Sequence, residues 1–312
     1  MRKYKVAIVG AGRIGAFFDD MDSKAVLTHA HAFKEAEQFE LVGFFDIMEE
    51  NAKNAAKRWG VKYFQRLEDA MQEVDVVCCT VPDRYHYDML KQIAQYPVKF
   101  VFSEKPIAET PKQAEKICKL YQEKGIPLQI NYTRRYLEEF SQLKRQIEGY
   151  GRFLKGCGYY GKGILHNGSH MLDLIIHLLG NIESVEGYEK IYDFFEEDPS
   201  VETKIKVREG TIYLHPIDCR AATIFELELF FEKCRVRILD GGSIIEIYPV
   251  MPSPIYEGYE NYIKKETRNV NYDASFRNAV KNIYEHLEYH KDLCCPMEDA
   301  KAVLELCCKL QK

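Results

Sequence analysis

Hydrophobic positions fall along this chain in two regimes. Over the first 130 residues, short apolar runs alternate with segments of helical period. "YKVAIVGAG" (4–12) ends in glycines, "FELVGFFD" (39–46) ends at Asp46, and "DVVCCTVP" (75–82) runs into Pro82. "VKFVFSEKP" (98–106) and "PLQINY" (127–132) are two more runs. Between them, "MEENAKNAAKRWG" (48–60) and "DRYHYDMLKQIAQY" (83–96) carry helical periodicity. "TPKQAEKICKLYQEKG" (110–125) has every boundary signal: Thr110 to cap, Pro111 in the first turn, Gly125 past the end. Apolar strands alternating with helices predict right-handed βαβ units on a parallel sheet.

The pattern changes after about residue 150. One helix is predicted over 167–179. Stretches at 182–195, 202–215, 221–241 and 243–250 then alternate apolar and polar residues, as antiparallel strands with one covered face do. Helices near 273–290 and 297–311 close the chain. The expected architecture is α/β: an N-terminal Rossmann domain over 1–130, and an α+β domain over 131–312 with an open, mostly antiparallel sheet.

Composition narrows the function classes. A chain of 312 residues, 46% hydrophobic and 29% charged, can bury two cores. A net charge of −5 gives no footprint for nucleic acid or an anionic membrane. Apolar runs fall far short of a membrane span, and Val6 to Val9 is too short for a signal-peptide core. Six of the ten cysteines lie in adjacent pairs, Cys78–Cys79, Cys294–Cys295 and Cys307–Cys308, and C-x-x-C is absent. Reduced, mostly buried thiols of a cytoplasmic protein are expected.

"VGAGRIG" sets Gly10, Gly12 and Gly15 in G-x-G-x-x-G spacing directly after a strand, with Arg13 and Ile14 between. The first glycine permits a tight turn, the second a close approach of pyrophosphate, and the third close helix–strand packing. A helix opening there would offer its N–H groups to phosphates. Asp46 ends the second strand, where an acid binds ribose hydroxyls. It lies 31 residues past Gly15 rather than about 20, and the polar loop 19–29 accounts for the excess. A carboxylate there repels a 2′-phosphate, so NAD is expected over NADP. No arginine follows immediately; Arg58 is the next.

Three later segments follow strands, where an open α/β sheet binds its ligand: "CTVPDRYHYDML" with Thr80, Pro82 and His86; "SEKP" with Glu104, Lys105 and Pro106; and "NYTRRY" with Asn131 and Arg135. Together with "GSHMLDLIIHLLG" and the closing "MEDAKAVLELCCKL", the chain resembles the glucose–fructose oxidoreductase / inositol dehydrogenase (Gfo/Idh/MocA) family over nearly its whole length. E-K-P is the most specific element.

The resemblance implies hydride transfer between nicotinamide and a hydroxyl-bearing carbon of a sugar, cyclitol or nucleotide sugar. Lys105 matches the family lysine beside nicotinamide and substrate, and would steady or relay the proton of a developing alkoxide. Glu104 would hold the turn or the cofactor ribose. His170 and Asp173 match H-x-x-D, with His170 as second acid–base group and Asp173 orienting it. On one continuous helix, His166, His170, Asp173 and His177 would share a side. His177, in an apolar run, is expected in the core. The position of His166 is often aspartate in the family, so His166 and its neighbour Asn167 are expected at the substrate. Asn131 and Arg135 would touch nicotinamide and substrate, or Arg135 would form a salt bridge; Arg134, Tyr132, Tyr136, Tyr159 and Tyr160 are lesser candidates. No metal is expected, since H-x-x-x-H here lacks the glutamate of H-E-x-x-H. The open sheet face, roughly 182–250, would join subunits into a homodimer or homotetramer. Two rival readings stand: a cofactor-binding regulatory protein that has lost catalysis, and a reductase of a non-sugar substrate.

Overall fold

The computed structural model describes residues 3–312. Six strands form a parallel sheet: β1 (Tyr4–Val9), β2 (Phe39–Phe45), β3 (Lys62–Tyr63), β4 (Val76–Cys79), β5 (Phe100–Ser103) and β6 (Leu128–Ile130), in the order β3-β2-β1-β4-β5-β6. Every residue of β4 and β5 is buried, which is why both read as unbroken apolar runs. The connections carry α1 (His29–Glu35), α2 (Glu49–Trp59), α3 (Leu67–Met71), α4 (His86–Ile93) and α5 (Pro111–Lys124). The α5 signals act as expected: Thr110 and Gln113 form a capping box, and Gly125 ends the helix in the left-handed region. The strand order reverses between β1 and β4, and the crevice for a ligand opens at the carboxyl ends there.

One expectation is corrected at the glycine turn. No long helix opens there; Arg13–Phe17 form a single π-helical turn, and α1 begins only at His29. Asp19 explains the interruption. Its buried carboxylate accepts from the Leu27 N–H at 2.5 Å and the Thr28 hydroxyl at 2.5 Å, and meets His31 Nδ1 at 2.9 Å. These local bonds compete with helix continuation.

A second compact unit is built on α6 (Glu138–Ile147), β7 (Phe153–Tyr160), α7 (Ser169–Leu179), β8 (Ile182–Ile191), β9 (Ser200–Val207), β10 (Gly210–Pro216), β11 (Phe225–Phe231), β12 (Cys234–Leu239), β13 (Ile244–Pro252), β14 (Glu260–Tyr262) and β15 (Glu266–Asn269). Its sheet runs β14-β13-β12-β11-β7-β10-β9-β8, with β15 on β13; β7–β10 is parallel and the other pairs are antiparallel.

The compact units do not divide at residue 130. The first is Met1–Tyr136 with Asp273–Leu304; the second is Leu137–Tyr272 with Glu305–Lys312. Helix α8 (Ser275–Tyr289) and the start of α9 (Met297–Gln311) therefore complete the first unit. Phe276 packs edge-on against His29, Arg277 pairs with Glu35, and Tyr4 donates to Glu288 at 2.6 Å. The cysteines are free; seven are buried, and burial pushes the Cys79 thiol up to about 12.

Candidate active site

In the first unit, the turns that follow β1, β2, β4, β5 and β6 carry the residues singled out by sequence. Gly10 has φ +100°, and a Cβ there would stand 2.6 Å from the Thr80 carbonyl carbon. A Cβ on Gly15 would stand 2.6 Å from Gly10 O and 2.8 Å from Thr80 Oγ1. The chain's own packing thus demands both glycines. Gly12 differs: no atom lies within 4 Å of its Cβ position. Nothing among the described residues requires glycine there, whereas a closely seated ligand would. That open approach, beside the backbone of Arg13 and Ile14, fits a dinucleotide pyrophosphate.

Asp46 ends β2 as expected. Its Oδ2 accepts from the Ala11 N–H at 2.7 Å and its Oδ1 from the Met48 N–H at 2.8 Å. The carboxylate is thereby held against the glycine turn, with lone pairs left for ribose hydroxyls. Arg58 is committed elsewhere: Nε and Nη2 donate to Asp19 O at 3.0 and 2.8 Å.

Two residues expected at the cofactor have side chains engaged within the protein. Thr80 is buried and donates to Gly10 O at 2.6 Å, so its side chain supports the glycine turn from below. His86 is also buried, with Nε2 2.8 Å from Val81 O and Nδ1 2.5 Å from Pro106 O. It ties the turn after β4 to the turn after β5. Pro82 stays exposed at the start of the intervening helical turn.

The turn after β5 gathers the charge. Glu104 N donates to Cys79 O at 2.9 Å, and the Lys105–Pro106 peptide is cis. Glu104 Oε1 accepts from Asn131 Nδ2 at 2.7 Å and lies 2.8 Å from His29 Nε2. Burial alone pushes this carboxyl up. The hydrogen bond and charge of His29, the Asn131 bond and the Lys105 charge outweigh burial and hold it below the usual carboxylate range. Lys105 itself is half-buried. His29 was missed by sequence reading, because only a pairing 75 positions away gives it meaning.

Arg135, expected either at the substrate or in a salt bridge to the second domain, is buried in the first unit. Its Nη1 donates to Asp299 Oδ2 at 2.5 Å and to Cys294 O at 3.4 Å, which makes it a strut to α9. Tyr136 donates to Ile130 O at 2.7 Å, and Tyr132 is buried.

The second unit carries the histidine segment. His166 and Asn167 lie in a π-helical turn, Gly163–Gly168, and α7 begins at Ser169. The expected single helical side from 166 to 177 is therefore broken at its first member. The turn has no cap of its own; Asp198 supplies one, accepting from the Leu165 and His166 N–H groups at 2.9 Å each. Asp193 Oδ2 accepts from Lys162 N at 2.9 Å. Asn167 Nδ2 donates to Gly161 O at 3.0 Å, and the exposed His166 ring lies 5.0 Å from that of Phe195. His170 is half-buried, while Asp173 and His177 are buried in α7. Tyr160 exchanges bonds with the Val201 backbone, and Tyr159 lies on the exposed sheet face. Among the described residues no group of three or more His, Cys, Asp or Glu could hold a metal ion, and no helix is long and apolar enough to cross a membrane.

A profile described as an oxidoreductase family with an NAD-binding Rossmann fold, Gfo/Idh/MocA, matches residues 4–132, which span the whole parallel sheet. Those residues are similar to the NAD-binding Rossmann domain of this family. It is 28% identical to the D-glucoside 3-dehydrogenase of Escherichia coli (strain K12) over 245 residues, 68% of this chain and 67% of that protein. It is 30% identical to biliverdin reductase A of Mus musculus over 158 residues, 50% of this chain and 48% of that one. Most curated relatives are spanned over about half their length. The crystal structure of UDP-N-acetylglucosamine 3-dehydrogenase from Acidithiobacillus ferrooxidans superposes with a TM-score of 0.80 at 17% identity, covering 100% of this chain and 97% of that one. That likeness is one of fold. What the family match shows is a segment, residues 4–132, similar to the NAD-binding fold of an oxidoreductase family.

Proposed function

We propose that the protein is an NAD-dependent oxidoreductase that interconverts an alcohol and a ketone on a sugar, cyclitol or nucleotide-linked sugar. The observation that carries this reading is the Glu104–Lys105–Pro106 turn. Lys105 stands between a fully buried strand and a proline whose ring fixes its φ, beside a carboxylate kept ionised, at the ligand-binding end of a parallel sheet. A lysine so restrained is preorganised to steady or relay the proton of the substrate hydroxyl. The bound nicotinamide supplies the hydride chemistry. Gly12 leaves room for the pyrophosphate, and Asp46 takes the adenine-side ribose hydroxyls, which favours NAD over NADP.

His170 is the second acid–base group, oriented by Asp173. His166 and Asn167 contact the substrate from the capped π-helical turn. Relatives named as dehydrogenases of a glucoside, an N-acetylglucosamine nucleotide and inositol support the substrate class. The match to a biliverdin reductase argues for a bilin in the screen. The protein works in the cytoplasm as a homodimer or homotetramer through the exposed face of the second sheet, and size-exclusion chromatography at several concentrations tests that assembly.

The decisive experiment screens glycosides, cyclitols, nucleotide sugars and a bilin at the NADH absorbance band with NAD and NADP, then repeats the best pair with Lys105→Met. Turnover is expected to fall about 10²- to 10⁴-fold, the weight of a positioned acid–base group. Undiminished turnover removes Lys105 from the chemistry.

A further inference from the structure

His29 opens α1, next to its N-cap Thr28, and is fully buried. A buried histidine is ordinarily satisfied at both ring nitrogens. Here Nε2 lies 2.8 Å from Glu104 Oε1, while Nδ1 has no hydrogen-bond partner among the described residues. A carboxylate offers only acceptors, so Nε2 carries the proton that meets it. The ring cannot turn away. Its centroid is 4.8 Å from that of Phe102 in β5 and 5.0 Å from that of Phe276 in α8, the latter edge-on. An apolar clamp therefore aims a single N–H at the carboxylate.

Asn131 Nδ2 donates to the same oxygen at 2.7 Å, so both donors converge on Oε1. The Glu104 side chain keeps 14% of its surface exposed. With Oε1 used twice, Oε2 is the oxygen left for a ligand. The backbone of Glu104 is fixed separately, through its N–H to Cys79 O at 2.9 Å. Chain position and side-chain rotation are thus set by different partners, and rotation is what His29 controls.

We propose that His29 is a positioning residue of the active site: by donating to Glu104 Oε1 it fixes the carboxylate so that Oε2 meets a hydroxyl of the nicotinamide-side ribose and Lys105 keeps a fixed anionic neighbour. The inference rests on the reading of the Glu104–Lys105 turn given under Proposed function. The groups around the Glu104 carboxyl are His29, Asn131, Lys105 and the Cys78 and Cys79 thiols; burial pushes both thiols up and keeps them neutral. The anion therefore answers chiefly to His29 and Lys105.

The test compares His29→Phe, His29→Gln and Lys105→Met with the wild type. NADH affinity is read by nicotinamide fluorescence and ADP affinity by calorimetry. Glu104 ionisation is followed by carboxyl ¹³C NMR. His29→Phe is expected to weaken NADH about 10- to 100-fold, one charge-assisted hydrogen bond. ADP affinity stays unchanged, because ADP lacks the nicotinamide-side ribose, and the Glu104 titration moves upward. His29→Gln, which keeps an N–H donor, restores most of the affinity. Unchanged NADH affinity and Glu104 titration in a folded His29→Phe overturn the proposal. If that variant does not fold, ¹⁵N NMR of the wild type decides: an Nδ1–H tautomer of His29 overturns the proposal, and an Nε2–H tautomer supports it. Full turnover by Lys105→Met refutes the acid–base reading of the lysine, whereas an inactive Lys105→Met beside an unaffected His29→Phe refutes only the role of His29.

Discussion

In the first unit, Gly10, Thr80, Glu104 and Asn131 each follow a strand of one sheet, and neighbouring strand ends tie their turns together. In the second, His166 and Asn167 ride on a π-helical turn whose backbone is held by Asp193 and Asp198, some thirty positions further along the chain. The first arrangement is bonded largely backbone to backbone or through buried side chains, and it is rigid because the sheet is. The second depends on acceptors from one loop and the start of β9: the Asp193 and Asp198 carboxylates, Pro199 O and Ser200 Oγ. A site of the first kind tolerates surface change and fails when a Cβ is added; one of the second kind fails when a single acid is lost.

The sharpest way to break that contrast is to place a methyl group at each of two glycines. Gly10→Ala combines a left-handed φ with a 2.6 Å clash, and is expected to cost about 3 kcal/mol or more in urea unfolding. Gly12→Ala meets no atom; its melting temperature should stay within error while NADH affinity falls. Equal stability losses at the two positions would contradict the distinction between a glycine kept for packing and one kept for a ligand.

Asp198→Ala probes the other arrangement. It removes the acceptor for two backbone N–H groups and for Gln311 Nε2, and should lower stability by about 2 kcal/mol. Hydrogen exchange should accelerate at Leu165 and His166 and not at Gly10 to Gly15. Uniform acceleration would mean the turn is no weaker than the glycine loop.

Glu104 sharpens the comparison through pH. Its carboxyl is held below its ordinary value, so its stabilisation is present above the unfolded-state value and is lost as pH falls through the lower folded-state value. Wild type should exceed Glu104→Gln in urea midpoint at neutral pH, and the gap should close on acidification below the ordinary carboxylate range. A gap independent of pH would show that the charge contributes nothing. The smallest effect is expected at Thr110→Ala, where loss of the capping box on α5 costs about 1 kcal/mol without altering cofactor affinity.

The parallel sheet was legible because its strands are buried on both faces and end in glycine, proline or charge. Strand β7, at the centre of the second sheet, was not. "FLKGCGYY" contains Gly156 and Gly158, and glycine is a poor strand former; a Cβ at either would stand 3.0 Å or less from a carbonyl oxygen of β11. Those glycines make room for close strand packing and carry no turn. Gly10, Gly12, Gly15, Asp46 and Lys105 were readable as a site because each follows a strand. His29, Asp198 and the Arg135–Asp299 pair were not, since each gains its role from a partner 32 to 164 positions away. His166 was misplaced because a helical spacing rule does not survive a π-helical turn.

The first unit is discontinuous in sequence, and this has a consequence for biosynthesis. Its sheet and glycine turn are complete once residue 136 has been made, yet Phe276 against His29, Arg277 against Glu35 and Asp299 against Arg135 lie beyond the whole of the second sheet. A nascent chain emerging from the ribosome would hold a parallel sheet with the clamp around His29 unfilled. The nucleotide-binding half, first to be translated, would be among the last to close.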